Sequence, residues 1–251
     1  MSSSIWTQCA GDSRLAPLRL APWRVVEAQH LVSTRKLVDT LDEQAVLEQL
    51  IESSKPADIS FARRHVLIAT PFRYPPLRHG SRFGARRDPS LWYGSEDQRT
   101  LFAEAAYYRL VFLAGTAADL GIVSTWHTAF TALARTERGI DLTARPFSRH
   151  RAAISSPISY DDAQALGAAM REAGVELFRY RSARDSDDGV NVGAFTPSVF
   201  GQSRPRDLET WHCSATTARI EFVRRDWLEE RAFTFERAQF LVEGVLPAPA
   251  I

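Results

Sequence analysis

Leu91-Trp92-Tyr93-Gly94-Ser95-Glu96-Asp97-Gln98-Arg99-Thr100-Leu101-Phe102-Ala103-Glu104-Ala105-Ala106-Tyr107-Tyr108-Arg109 reads as a short strand running straight into a long helix. Aromatic residues crowd the strand, and Ser95 with Gln98 has the spacing of a capping box for a helix reaching to about Ala114. Within that nearly apolar helix Glu104 stands out, because a carboxylate among apolar neighbours must find a partner or shift its pKa. Arg109 and Arg73 are the arginines within reach of a purely structural pairing.

Working back along the chain, Arg82, Tyr93 and Glu104 recur at equal intervals. Arg82 sits in Gly80-Ser81-Arg82-Phe83-Gly84, where two glycines allow close backbone approach and a guanidinium can grip phosphate or carboxylate with two parallel hydrogen bonds. An anion grip, an aromatic plate and a carboxylate together suit a nucleotide-sugar ligand. Each also has a plain structural reading: Arg82 as a solvated loop residue, Tyr93 as core, and Ser182 as one turn residue among Asp185, Asp187, Asp188 and Gly189.

The chain has 251 residues, enough for one large domain, and 45% hydrophobic with 24% charged residues is a globular composition. Thirty-one Lys and Arg against thirty Asp and Glu leave a net charge of +1, so the broad cationic field of a nonspecific nucleic-acid binder is missing and direct nucleic-acid binding is not expected. The beginning of the chain has no basic segment followed by an apolar run, and no uncharged apolar run reaches membrane-spanning length, so a cytoplasmic protein without membrane contact is expected. Cys9 and Cys213 form no CxxC pair, and the histidines at 30, 65, 79, 127, 150 and 212 lack ligand spacing, so no metal is expected.

Outside the opening stretch, the reading begins with a polar lead up to Pro22, then Trp23-Arg24-Val25-Val26, then a helical period over Leu37, Val38, Leu41, Ala45, Leu47, Leu50 and Ile51. His65 to Thr70 reads as a buried strand, and Ser124 to Leu133 as a strand with one buried face. A loop from Arg145 to Pro157 precedes a helix from Ser159 or Asp161 to Gly174. Strands follow at Glu176–Tyr180, Val190–Phe195, Ala218–Val223 and Arg231–Glu236. No repeat or linker is visible, and the expectation is one mixed α+β domain with a central β-sheet flanked by helices: an N-terminal helical extension, residues 1–60, packed on a main unit, residues 61–251.

Four segments in order carry a resemblance: Phe72-Arg73-Tyr74-Pro75-Pro76 with Gly80-Ser81-Arg82-Phe83, Trp92-Tyr93-Gly94, Ala103-Glu104-Ala105-Ala106-Tyr107-Tyr108-Arg109, and Tyr180-Arg181-Ser182-Ala183-Arg184 followed by Gly189 and Asn191. Over roughly residues 60–245, with a weaker echo in Trp23 to Pro56, the chain resembles long-form members of the RES-domain family, named for its Arg, Glu and Ser. The resemblance implies an ADP-ribosyltransferase-like fold and an NAD-degrading toxin held in check by an Xre-like helix-turn-helix antitoxin. It implies catalytic roles for Arg82, Tyr93, Glu104 and Ser182, and ligand contacts from Arg73, Tyr74, Gly80, Ser81, Arg184 and Asn191. In that scheme Arg82 clamps the pyrophosphate, Tyr93 packs on nicotinamide or its ribose, Glu104 stabilises an oxocarbenium-like ribose, and Ser182 bonds near the departing base or orients the acceptor. NAD is then substrate rather than cofactor, with water or inorganic phosphate as acceptor. The competing functions are an ADP-ribosyltransferase acting on a macromolecule and a non-catalytic binding subunit; Phe102, where a Glu-x-Glu pair would need a carboxylate, speaks against arginine-directed transfer. The Leu37–Ile51 helix is a candidate for homodimer contact, for covering the pocket or for enlarging the core.

Overall fold

Asp97, not Ser95, starts the central helix. In the computed structural model, which describes residues 4–28, 65–73, 78–201, 204–225 and 230–249 together with Glu43 and Val46, the Asp97 carboxylate accepts from Thr100 N at 2.8 Å. The helix then runs Gln98–Ala114 without an interior Gly or Pro and stops at Gly115. Ser95 instead closes the preceding strand Trp92–Ser95 and gives its hydroxyl to Asn191. A cap needs an acceptor at the residue where the backbone turns from extended to helical, and that residue is Asp97, with φ −133° and ψ 162°.

Ten strands make one sheet: β1 (Ala16–Leu20), β2 (Trp23–Glu27), β3 (Trp92–Ser95), β4 (Val123–Thr131), β5 (Ala134–Asp141), β6 (Leu177–Arg181), β7 (Val190–Ala194), β8 (Arg206–Ala215), β9 (Arg219–Arg225) and β10 (Glu230–Glu236). Their order is β1-β5-β6-β7-β3-β2-β4-β8-β9-β10. Only β5 and β6 pair in parallel; every other neighbouring pair is antiparallel. The helices are α1 (Ile5–Gln8), α2 (Val66–Arg73), α3 (Gln98–Ala114), α4 (Arg151–Ile154) and α5 (Asp161–Glu172). The expected α+β class is the one found.

The parallel pair explains the long interval between the helix carrying Glu104 and the segment carrying Ser182. Parallel neighbours need a crossover, and residues 142–176 supply it with α4, α5 and the 3-10 turn Phe147–His150. Arg145–Pro157 is therefore not the plain loop expected from its Pro and Arg content. The strand expected over His65–Thr70 is α2. The four apolar residues Val66–Ala69 in a row fit a buried strand or a helix equally, and here only Ile68 and Ala69 are buried while Val66 is exposed, the one-sided burial of a helix. The periodic segment Leu37–Ile51 lies outside the described residues, apart from Val46.

α3 packs on one face of the sheet. Phe102 is fully buried, with its ring centroid 4.5 Å from Trp211 and 4.6 Å from Phe222, a burial contributing about 1.5–3 kcal/mol. A second core gathers Phe83, Phe178, Tyr180 and Phe147 beneath α1 and α5. Between β2 and β3 the ladder has a single registered pair, Trp23 with Ser95. There Gly94 passes so close that an added Cβ would lie 2.5 Å from the Trp23 carbonyl oxygen. The sheet opens at this thin seam, under α3.

Candidate functional site

A cavity of about 210 Å³, measured as space for the centres of water-sized spheres, lies in that opening. Its walls come from β2 (Arg24, Val25), β3 (Tyr93 to Ser95), α3 (Leu101, Glu104, Ala105, Tyr108), the turn at Ser81 and Arg82, and the neighbouring strands at Tyr180 and Asn191. Its charged and larger polar groups are Arg24, Arg82, Tyr93, Glu104, Tyr108, Tyr180 and Asn191.

Glu104 is held by neutral donors. Ser182 Oγ donates to its Oε1 at 2.7 Å, and Asn191 Nδ2 donates to the same oxygen at 2.6 Å. Asn191, itself fully buried, is fixed by the Ser95 hydroxyl at 2.6 Å. Ser182 is fixed in turn, its Oγ accepting from the backbone N–H groups of Arg184 and Asp185, each at 3.0 Å. Three elements thus aim one carboxylate: α3 carries it, the turn after β6 supplies the hydroxyl, and β7 supplies the amide. Both donors sit on Oε1, and Oε2 has no protein partner among the described residues. Arg109, the alternative partner weighed from sequence, is committed to Glu27 at 2.9 Å.

Arg82 is buried, with only 5% of its surface exposed, and its Nη1 donates to the Ser156 carbonyl at 2.8 Å. Its guanidinium carbon lies 4.7 Å from the centroid of the Tyr160 ring. Burial alone would lower its pKa, but Tyr180, Tyr160, Glu104 and Tyr108 together outweigh burial and raise it, so the group stays a cation. Ser156 and Tyr160 belong to the crossover between β5 and β6, which therefore holds Arg82 in place from behind the cavity wall.

Tyr93 anchors the turn before it. Its hydroxyl accepts from Phe83 N at 3.0 Å and shares a hydrogen bond with Ser81 Oγ at 3.0 Å, while burial pushes its pKa up to about 12. The turn itself requires glycine: Gly80 has φ +72°, and a Cβ there would meet the Gly84 carbonyl oxygen at 2.3 Å. Tyr180, 5% exposed, is stacked edge-on to Phe83 and makes no hydrogen bond among the described residues. Burial first and Glu104 second keep its phenol protonated.

Of the residues expected from sequence, Arg82, Tyr93, Glu104, Ser81 and Asn191 line this one cavity. Ser182 touches it only through Glu104. Gly80 shapes the turn without lining the cavity. Arg184 is directed elsewhere, donating to the Pro157 carbonyl at 3.0 Å with its guanidinium 3.5 Å from the Tyr107 ring centroid. Arg73 closes α2 and is not part of the wall, and Tyr74 lies outside the described residues. Arg24, Tyr108 and Tyr180 line the cavity without having been singled out; Arg24 left one trace, a charged residue inside the apolar run Trp23-Arg24-Val25-Val26. Among the described residues no group of three or more His, Cys, Asp or Glu side chains could hold a metal ion, and no helix is long and apolar enough to cross a membrane.

A carboxylate with one oxygen tethered and the other open, in a cavity shared with two guanidinium groups and three phenols, can bind a sugar diol and an anion at once. A protein-family model for the RES domain matches residues 55–215. No curated protein matches the sequence.

Proposed function

Because the chain belongs to the RES-domain family, a toxin–antitoxin family generally concerned with NAD, we propose that it cleaves the nicotinamide–ribose bond of NAD and passes the ADP-ribosyl group to water or inorganic phosphate. The observation that carries this reading is the clamped carboxylate. Breaking the bond builds positive charge on the ribose, and a negative group set before the reaction stabilises that charge without reorganising during it. Glu104 has that form: Oε1 is locked by Ser182 and Asn191, leaving Oε2 to engage the ribose hydroxyls. Arg82 supplies positive charge for the phosphates, Tyr93 holds the turn that presents Arg82, and Ser182 acts through Glu104 as a positioning residue.

The same reading supplies a partner. An enzyme that destroys NAD harms the cell that makes it, and the near-neutral chain lacks the cationic field for binding DNA by itself. An Xre-like helix-turn-helix antitoxin that blocks the cavity mouth meets both needs, acting in the cytoplasm where NAD is found. Transfer to a macromolecule is the weaker reading, since residue 102, where a second carboxylate would stand, is a phenylalanine fully buried against Trp211.

The test is one incubation of the purified protein with NAD, with and without phosphate, and separation of the products. Nicotinamide with ADP-ribose means hydrolysis, and nicotinamide with ADP-ribose 1″-phosphate means phosphorolysis. Undiminished NAD would refute the reading.

A further inference from the structure

Many arginines of this protein are ion-paired, whereas others, Arg138, Arg171 and Arg184 among them, donate to backbone carbonyls. Arg109 pairs with Glu27, Arg179 with Glu96, Arg99 with Asp185 and Asp187, Arg151 with Asp188, and Arg224 and Arg231 with Glu209. The two arginines of the cavity have no carboxylate ion pair among the described residues. Arg82 is nonetheless well engaged, by a carbonyl at one nitrogen and an aromatic ring at its face. Arg24 is not.

Arg24 donates from Nη1 to the Tyr93 carbonyl at 2.6 Å. Its Nε is buried without a partner, and the Trp92 ring centroid lies 5.4 Å from its guanidinium carbon. A guanidinium has five N–H donors in a fork that fits two oxygens of one anion. One of the five is used here. Burial with no counter-charge to offset it pushes the Arg24 pKa down to about 10, while the residue as a whole is half-buried and reaches the cavity. Such a group is costly unless something repays it. It lines the same cavity as Glu104, and it stands at the seam where β2 and β3 are joined by one pair only.

We infer that Arg24 is the principal phosphate-binding residue of the cavity, taking two oxygens of a pyrophosphate through the donors it does not spend on Tyr93, while Arg82 is mainly held by Ser156 and Tyr160 of the β5–β6 crossover. The inference deepens the NAD reading and rests on it for the identity of the ligand. It also extends the site beyond the family match: Arg24 precedes residue 55, where that match begins, so the N-terminal strand is part of the binding machinery.

The experiment uses full-length protein and the variant Arg24→Gln, whose side-chain amide can still donate to the Tyr93 carbonyl but carries no charge. Calorimetric titration with inorganic pyrophosphate and with ADP-ribose is compared with turnover of nicotinamide riboside, which has the scissile bond and no phosphate. Loss of a charge-assisted pair of hydrogen bonds predicts binding of both phosphates weakened on the order of 10- to 100-fold, with kcat/KM for nicotinamide riboside reduced far less. Arg24→Lys, which keeps the charge without the fork, should fall between. Equal ADP-ribose affinity in wild type and Arg24→Gln overturns the inference, even if NAD is consumed. Equal losses on nicotinamide riboside and ADP-ribose also overturn it, because they indicate a merely structural arginine. Arg24-dependent pyrophosphate binding in a protein that leaves NAD intact upholds the phosphate site and sinks only the NAD reading.

Discussion

Glu104 and Glu209 make the most instructive pair in the molecule. Both lie close to α3, and both accept several hydrogen bonds. Glu209 is saturated by charge and by number: Arg224 at 2.6 Å and Arg231 at 3.0 Å share its Oε1, while Gln98 at 2.6 Å and Trp211 at 3.1 Å share its Oε2. Glu104 receives only neutral donors, both on one oxygen, while guanidinium groups in the same cavity bond to carbonyls instead. A carboxylate that closes its own electrostatic account ties strands β8, β9 and β10 to the helix. One kept away from its cations retains its capacity for something that arrives from outside. Saturation, more than burial, separates a structural acid from a working one.

The sharpest way to break the comparison is to neutralise each acid. Glu104→Gln keeps the size and the acceptor for Ser182, so its urea midpoint should match wild type while NAD turnover drops on the order of 10²–10⁴-fold. Wild-type turnover in the folded variant would remove Glu104 from the mechanism. Glu209→Ala should do the reverse. It takes the shared carboxylate away from two guanidiniums that are only partly solvated, with side-chain exposures of 22% and 36%, and should cost about 1–3 kcal/mol in urea unfolding with turnover per folded molecule preserved.

Smaller effects sharpen the contrast. Ser182→Ala removes one of the two donors that aim Glu104, so kcat should fall by roughly tenfold with KM for NAD little moved; a loss confined to KM would instead put the Ser182 hydroxyl on the ligand. Tyr93→Phe should cost the least. It leaves Phe83 N without its acceptor, lowering unfolding stability by about 1 kcal/mol, and the aromatic surface that lines the cavity remains. A large loss of turnover in that variant would give the hydroxyl a role beyond anchoring the turn.

Much of this could be read from sequence because it is local. The β3–α3 unit follows from aromatic strand residues beside an apolar helix, and Glu104 is conspicuous there. Asn191 and Ser182 could be grouped with it only through the family motifs, since their convergence is a matter of sheet order. What could not be read is equally specific. β5, Ala134-Arg-Thr-Glu-Arg-Gly-Ile-Asp, hides its strand character because Arg135, Glu137 and Arg138 cover its open face with charge, while Ala134 and Thr136 are buried. β1 and β8 were also missed: Pro17 interrupts the first, and the second begins with the exposed residues Arg206, Asp207 and Leu208. Arg24 was passed over because its one local trace, a charge within an apolar run, fits a solvent-facing strand arginine as well as one facing a cavity. Its meaning depends on the gap between β2 and β3.

The donors to Glu104 come 78 and 87 residues after it in the chain. During synthesis, then, the carboxylate leaves the ribosome long before the hydroxyl and the amide that aim it, and before β7, the strand that pairs with β3. A nascent chain ending before Asn191 holds an unaimed acid and an incomplete sheet. Under the proposed function, the capacity to destroy NAD arises late in translation, when the last strands dock.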